Sequence, residues 1–347
     1  MAEATLNNPG NRIGKQLGQI LKHALHVSTV EMTGEVYPQK VKMGDTVIFR
    51  QVVPFGATAA SPNTFTTTAA AHLIQEGSTP VPDTISVLDT TVQVQKYGAL
   101  YSYTERQANL GEDPMPQWME EQLGERMGLV RELIYIGALQ GCTNRFYSSG
   151  STRATTANTV TLNIMDKITR NLRGNHALFV RQIVPPSGNY GTASVQASFL
   201  NFAHTDLQRD IEAIPGYIPL KDYGQMKPVH EMEIGAVGSH RFILSPDLPK
   251  FADATTTTTV ALNPGFVSTG GTYNDVYQIF TIAKDAWGHC AFRGLDAFDF
   301  NHIPWNKKEK SDPTGERGYC STTFYDAGLV TNQGWMAVTE CLATTLS

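Results

Sequence analysis

The chain has 347 residues, and its 41% hydrophobic content is that of a folded globular protein. Its formal net charge is −5, and no run of Lys or Arg is longer than Lys307-Lys308. Proteins that bind nucleic acid tightly cluster their cations, so this pattern excludes nucleic-acid binding as the main function. It allows a protein that surrounds nucleic acid. Four scattered cysteines without CxxC spacing predict neither a disulfide framework nor a zinc site.

Residues 1–11 are expected to form a flexible arm, and residues 12–27 a short amphipathic helix that docks on the body or on a neighbouring subunit. No apolar run approaches the roughly 18 to 20 residues that a membrane span requires. The first residues, MAEATLNNPGNR, also lack the pattern of a secretory signal. We therefore expect a protein that is made and folded in a cytoplasm, with no membrane partner.

Alternating apolar and polar residues predict strands on both sides of a long polar insertion. The first pair is expected within 36–53, around a turn at Gly44, and alternation returns in 84–107. The insertion between them is rich in Thr and small residues, so it cannot form a core of its own. A two-stranded ribbon is marginal alone in water, and this one should therefore lie on another surface, such as a second subunit.

The longest helical pattern covers 113–141, with Asp113 as N-cap, Pro114 at the first helical position and Gly141 as the stop. Its apolar stripe is expected to consist of Met119, Leu123, Met127, Val130, Ile134 and Gly137. Gly124 and Gly128 lie one turn apart, which suggests the close approach of another backbone. A core helix with two tolerated glycines is an equally good interpretation.

The rest of the chain predicts a mixture of strands and helices. A helix is expected at 162–172, and a strand at 199–203 should lead into a helix from about Thr205 to Pro215. A Gly-rich loop should precede a strand at 241–245, a strand hairpin should lie within 276–292, and glycine-punctuated strands should close the chain. Since strands and helices do not alternate as βαβ units, the fold class is α+β.

The motifs of dinucleotide, P-loop, α/β-hydrolase and zincin enzymes are all absent from the sequence. The remaining candidate groups are His204 with Asp206 and Asp210, His289 beside Cys290, and Asp296 with Asp299. Asp206 is better explained as a first-turn acid, and His204 as the polar end of a buried strand. We therefore expect no enzyme, no metal and no cofactor.

Several segments, in their order and spacing, resemble the major capsid proteins of phages related to coliphage N4. The segments are 44–50, 74–80, 95–105, 199–220, 233–246 and 312–318, and the resemblance spans about 40–345. The matching structural residues are His204, Asp206, Glu233, Ile234, Gly235, Gly238, Arg241, Phe242, Ser245, Pro246, Asp312, Gly315 and Gly318. Glu105 and Glu316 depart from the Asp and Gln that are usual there.

The resemblance implies the Hong Kong 97-type capsid fold. The extended hairpin loop would lie over a neighbouring subunit, and the helix from Pro114 would be the spine helix of a peripheral domain. The implied division is an arm and short helix at 1–35, the hairpin loop and peripheral strands at 36–112, and the spine helix and following loop at 113–160. A mainly axial domain would follow at 161–290, and peripheral strands at 291–347.

The resemblance also implies a function. Hexameric and pentameric capsomers would assemble in the host cytoplasm into the icosahedral capsid of a virion that encloses phage double-stranded DNA. Portal, scaffold and decoration proteins are implied partners, with only non-specific contact to the DNA. The expected inter-subunit residues are Phe55, Phe65, Leu73, Ile74, Glu76, Tyr97 and Trp118. The hairpin tip at 55–73 is expected to be mobile before assembly and ordered after it.

Two other classes of protein fit parts of the sequence. A cellular nanocompartment that encloses a protein cargo uses the same fold as the capsid. An extracellular β-rich binding protein or carbohydrate-active enzyme would explain the Thr- and Gly-rich loops and the aromatic residues, although the lack of a signal pattern opposes it.

Overall fold

A computed structural model describes residues 27–346 except for 40–43, 56, 58–61, 66, 75, 78, 80–81, 83, 112–113, 181–196, 224–227, 256–261, 291–297, 307 and 309–311. The predicted arm, almost all of the predicted N-terminal helix, Asp113 and Asp296 lie outside the described residues. None of the described helices is both long and apolar enough to cross a membrane.

The described residues form both strands and helices, in the following order. The strands are β1 (Glu35–Val36), β2 (Thr46–Val52), β3 (Val87–Gln93), β4 (Gln95–Thr104), β5 (Arg145–Tyr147), β6 (Phe199–His204), β7 (Tyr217–Pro219), β8 (Glu233–Val237), β9 (His240–Ser245), β10 (Lys250–Phe251), β11 (Val276–Ile282), β12 (Trp287–His289), β13 (Asp299–Ile303), β14 (Arg317–Asp326), β15 (Gly328–Val330) and β16 (Met336–Cys341). The α-helices are α1 (Glu105–Leu110), α2 (Met115–Gln140), α3 (Leu162–Gly174) and α4 (Gln208–Glu212).

The strands form four sheets. The large sheet has eight strands in the order β5-β16-β11-β6-β9-β8-β7, with β10 also paired to β11. Two sheets have three strands, in the orders β1-β12-β15 and β13-β14-β4, and the fourth sheet consists of β2 and β3. The large sheet is mixed, because β6 runs parallel to β9 and β16 parallel to β5 while its other pairs are antiparallel. This arrangement agrees with the predicted mixture of strands and helices.

The large sheet carries a core on each of its faces. Because side chains alternate along a strand, Phe199 and Ile279 face one core, which includes Ile168 of α3. Phe202 and Phe280 face the other core. The second core is closed by side chains of the C-terminal half of α2, namely Tyr135, Ile136 and Leu139.

The N-terminal half of α2 packs elsewhere. Its Met119 and Leu123 are buried with Tyr103 of β4 and Cys320 of β14, in the sheet that β13 completes. One helix therefore holds the large sheet and this three-stranded sheet together.

The bounds of α2 differ slightly from the prediction. The helix begins at Met115 with Pro114 in the N-cap position, and it ends before Gly141 as expected. The predicted stripe is correct as far as Met127, but the buried face then moves to Tyr135 and Leu139, and Gly137 is exposed.

The glycines inside α2 do not mark a close approach of another backbone within the described part of the chain. Outside the backbone of α2, a side-chain carbon added at Gly124 would meet one described atom within 4 Å, a ring atom of Phe300 at 3.9 Å. A carbon added at Gly128 would meet no described atom within 4 Å outside that backbone. Of the two interpretations, tolerated glycines in a core helix fit better.

Three sequence predictions need correction. The segment before the 241–245 strand contains β8, so it is a strand and turn and not only a Gly-rich loop. β11 and β12 do not pair as a hairpin, because β11 lies between β16 and β6 while β12 lies between β1 and β15. The two strands expected around Gly44 do not pair with each other, because β1 pairs with β12 and β2 pairs with β3. β16 lies in the large sheet, and the five-part domain division stays a prediction.

The contact of His240 with α3 is expected to make the stability of the chain depend on pH. The Nε2 of His240 lies 2.7 Å from the Thr169 hydroxyl of α3, and the side chain is buried. Burial lowers the pKa of His240 to about 4, against smaller opposing effects of a hydrogen bond to the Met165 backbone and of the Asp166 charge. The unfolded chain, with a histidine pKa of about 6.5, therefore binds the proton first as the pH falls.

We expect the free energy of unfolding to decrease by up to about 3 kcal/mol from this residue as the pH falls from about 6.5 to about 4. Urea unfolding of the unassembled chain at several pH values measures this. His240→Gln should reduce the pH dependence, and His72→Gln, at an exposed histidine, should leave it unchanged. Equal pH slopes for wild type and His240→Gln would contradict the prediction.

Candidate assembly surface

The ribbon of β2 and β3 has one open face. The two strands pair in antiparallel register from Thr46 with Gln93 at one end to Val52 with Val87 at the other. On the open face Ile48 is 60% exposed, Val52 62% and Val87 51%. Such a row of exposed apolar side chains is typical of a surface that another molecule covers.

An ion pair lies in the middle of this open face. The Arg50 guanidinium donates two hydrogen bonds of 2.8 Å to the Asp89 carboxylate, one to each oxygen. Hydrogen bonding to Arg50 lowers the pKa of Asp89. Because both side chains are exposed, the pair adds little to the stability of the free chain. If a partner covered the pair, the attraction between the two charges would increase, but both charges would also lose their hydration.

The opposite face anchors the ribbon to the body near its base. Phe49 packs against Tyr37, with ring centroids 4.8 Å apart, beside a small core of Val94, Cys290 and Ala327. Val94 also donates its backbone N–H to the Asp45 carbonyl, at 2.8 Å. The ribbon is therefore held on one side and open on the other, as expected of a ribbon that needs a second surface.

The insertion between the strands is low in charge and partly docked. Residues 53–86 contain Glu76 and Asp83 as their only charged residues other than His72. Asn63 and Asn332 exchange two amide hydrogen bonds of 2.8 Å, and both side chains are buried. This contact ties part of the insertion to the body of the same chain.

The structure brings together only some of the seven predicted assembly residues. Phe55 and Phe65 contact each other, with ring centroids 5.6 Å apart, and Phe65 also packs edge-on against His176, at 4.8 Å. Leu73 and Ile74 are 76% and 65% exposed in the same insertion. Glu76 is exposed there as well.

Tyr97 and Trp118 belong to other surfaces. Tyr97 lies on β4, where its ring stacks on Phe324 with centroids 5.6 Å apart, and it is half-buried. Trp118 lies on α2 and is also half-buried, and its buried indole nitrogen has no hydrogen-bond partner among the described residues. Their part in assembly stays a prediction.

His204 and Asp206 form a structural cap where β6 ends. His204 Nδ1 accepts a hydrogen bond of 3.1 Å from the Asp206 backbone N–H, and burial lowers the pKa of His204. The Asp206 carboxylate accepts the Tyr277 hydroxyl, at 2.7 Å. The third member of the candidate group, Asp210, instead accepts two bonds from Thr344. The geometry agrees with the structural interpretation that the sequence favoured.

Glu233 of β8 and Arg241 of β9 lie on neighbouring strands of the large sheet, and both are charged and buried. The Arg241 guanidinium lies 3.5 Å from the Glu233 carboxylate, which also accepts the Tyr223 hydroxyl at 2.8 Å. Gly238, with a φ of +57°, forms the turn between β8 and β9 that brings the two strands together. A side chain at Gly235 would overlap the Tyr217 ring.

The residues from Asp312 to Gly318 form a turn that starts β14. The Asp312 carboxylate accepts the Arg317 backbone N–H at 2.8 Å, and this bond lowers the pKa of Asp312. Gly315 has a φ of +74°, which favours glycine. Gly318 lies against Tyr103 in the facing strand, and any side chain there would overlap the Tyr103 ring.

Sequence reasoning missed a buried carboxylate in α2. Glu132 is 1% exposed and accepts hydrogen bonds of 2.9 Å from the backbone N–H groups of Thr29 and Val30 and from the Thr29 hydroxyl. The Ser28 hydroxyl adds a fourth bond, at 2.7 Å. These bonds attach the segment before β1 to α2. The only signal in the sequence is an acid beside an apolar stripe.

No protein-family model and no curated protein sequence matches the chain. Solved structures do match it over its whole length. The chain is similar to a chain in the capsid of Ralstonia phage GP4, with a TM-score of 0.65, 10% identity and 100% of each chain covered.

Two further solved structures of phage heads or capsids are also similar to the chain. One is the head structure of Helicobacter pylori bacteriophage KHP40, with a TM-score of 0.62, 12% identity and coverage of 97% of this chain and 96% of that one. The other is the capsid of cyanophage Pam1, with a TM-score of 0.61, 12% identity and 100% of each chain covered. The chain therefore has a fold that is found in phage capsids.

The contact between Gly318 and Tyr103 can be tested. We expect Gly318→Ala to destabilise the unassembled chain by about 1–3 kcal/mol, because the added methyl group overpacks the sheet. Gly128→Ala is the matched control, since nothing described lies within 4 Å of its added methyl group. It should be neutral or stabilise by up to about 1 kcal/mol. Urea unfolding measures both, and an equally stable Gly318→Ala would contradict this prediction.

Proposed function

We propose that the chain is a major capsid protein, which assembles through hexameric and pentameric capsomers into an icosahedral shell around phage double-stranded DNA. The full-length similarity to phage capsid chains carries this proposal, because each of the three structures is covered almost completely. The N4-related family and the Hong Kong 97-type fold are the finer assignments, supported by the order of the sequence motifs. The site of action would be the virion capsid.

A shell subunit works through its interfaces and not through a reaction. In a closed ring each contact is heterologous, since one patch meets a different patch on the next copy. The open face of the ribbon supplies one such patch, with apolar side chains around the Arg50–Asp89 pair. Stable interfaces bury on the order of 1,200 to 2,000 Å² per pair. We propose that the ribbon and its insertion supply part of this area on a neighbouring subunit.

The charge balance supports a wall that encloses DNA without binding it tightly. At a net charge of −5 the chain has no general attraction to phosphate. The proposed contact with packaged DNA is therefore non-specific. Portal, scaffold and decoration proteins remain proposed partners on the strength of the motifs, and we propose no catalytic role.

The double variant Ile48→Asp/Val52→Asp tests the function and the role of the ribbon. Electron microscopy of the purified wild-type chain should show closed shells or capsomers, and the variant should stay as a folded, unassembled subunit because two charges cannot be buried unpaired. Leu346→Asp, at an exposed apolar residue outside the ribbon, should assemble like wild type.

Different outcomes separate the alternatives. A wild-type chain that stays monomeric with and without its genomic neighbours would contradict the shell function. Normal assembly of the double variant would contradict only the role of the ribbon. Shells that hold a protein cargo and no DNA would favour the nanocompartment.

Hydrogen exchange tests the change in the insertion on assembly. The amides of Ala69–His72, in a short and exposed 3-10 helix, should exchange at least about tenfold more slowly in the shell, because a neighbour would cover them. The amides of β11, buried in the middle of the large sheet, should exchange equally in both states and serve as the control. Equal exchange of Ala69–His72 in subunit and shell would contradict the expected ordering.

A further inference from the structure

Three side chains with metal-binding atoms meet between α2 and the sheet formed by β13, β14 and β4. Glu120 of α2, His302 of β13 and Cys320 of β14 each offer one donor atom, and these atoms all lie within 4.8 Å of one another. His302 and Cys320 are direct neighbours across the two strands. Side chains at such paired positions lie on the same face of the sheet, and here that face is covered by α2.

The histidine ring is held from both sides. His302 Nδ1 lies 3.2 Å from Glu120 Oε1, and its Nε2 lies 2.7 Å from the Tyr103 hydroxyl. A metal-binding histidine commonly has its second ring nitrogen bonded in this way, which fixes the direction of the ring. Tyr103 is itself fixed, because it is buried and fills the space that Gly318 leaves open.

The thiol lies at the inner end of the group. Cys320 is 1% exposed, and its sulfur makes a weak contact of 4.0 Å with the Pro116 carbonyl. Glu120 and His302 are exposed, so the group can be reached from solvent. The arrangement thus joins a buried sulfur to two donors at the surface.

We propose that Glu120, His302 and Cys320 bind one Zn²⁺ ion. Zinc accepts carboxylate oxygen, imidazole nitrogen and thiolate sulfur together, and three protein ligands leave a fourth position for water. The sulfur and nitrogen donors disfavour Mg²⁺ and Ca²⁺, which prefer oxygen ligands. On binding, the S–H bond of Cys320 breaks, a Zn–S bond forms and the proton leaves to solvent.

A salt bridge between His302 and Glu120 alone would explain two of the three residues. It would be partly exposed and would contribute little. It would not involve Cys320, so thiolate coordination distinguishes the two interpretations. A bound ion would connect α2 to β13 and β14, independently of whether the chain forms a shell. The sequence predicted no metal site, because these donors are far apart along the chain.

Cobalt(II) is a suitable probe, because its coordination by a thiolate gives an absorption band in the near ultraviolet. We expect the metal-free, full-length chain to bind about one Co²⁺ with this band, and Zn²⁺ to displace it. Cys320→Ala and His302→Ala should lose the band or bind at least about tenfold more weakly. Cys142→Ala removes another buried thiol and should bind like wild type.

Tyr103→Phe tests the positioning of His302. It removes the hydroxyl that holds the ring and should weaken Co²⁺ binding by about tenfold while the thiolate band remains. Circular dichroism checks that each variant folds. If His302→Ala does not fold, His302→Gln is used in its place. A folded wild type without the band, or a Cys320→Ala variant with unchanged band and affinity, would overturn the proposal. In that case the His302–Glu120 salt bridge is the whole function of the group.

Discussion

The packing of α2 against two sheets is the contact on which the rest of the structure depends. Met119 and Leu123 in its first half are buried on the β13-β14-β4 sheet, and Tyr135 and Leu139 in its second half are buried on the large sheet. An α-helix is stiff over this length, so the two sheets cannot turn independently of each other. The ribbon continues into β4, which is part of the first sheet, and its direction is therefore set by the same helix.

Buried carboxylates also connect segments of the chain to α2 and to the large sheet. Glu132 attaches the segment before β1 to α2, and Glu340, in the large sheet, accepts hydrogen bonds from Arg145 and Arg153. Removing one partner of such a group leaves an unpaired charge inside the protein, which is strongly destabilising. The body thus has fully paired polar groups at these points, while the open face of the ribbon keeps its apolar side chains in water. This contrast suits the proposed role of a rigid subunit that joins a neighbour.

Local patterns in the sequence predicted local structure well. The periodicity of 113–141 located α2 and its end at Gly141, and the alternation in 36–53 and 84–107 located β2 and β3. The pair of strands expected around Gly44 was wrong, because β1 pairs with β12 and β2 pairs with β3. Predictions failed where distant segments decide the structure. β11 and β12 look like a hairpin, but each pairs with strands from other parts of the chain. Glu132 was missed for the same reason, because its partners lie about a hundred residues earlier. The Glu120, His302 and Cys320 group also has no local signal.

The backbone of this fold sets the requirements on several of the motif residues, although identity with the solved capsid chains is only 10% to 12%. Glycine is favoured at 238 and 315 because the backbone has a positive φ angle there. Glycine is required at 318 because a side chain would overlap the Tyr103 ring, and His204 caps the start of the following helix. Each of these requirements comes from the backbone of the fold, so substitutions elsewhere leave it in place. The exposed side chains of the ribbon are under no such requirement. If they face another copy of the same chain, both sides of the contact can change together. We therefore expect the residues of the proposed assembly surface to be the ones that sequence patterns predict least well.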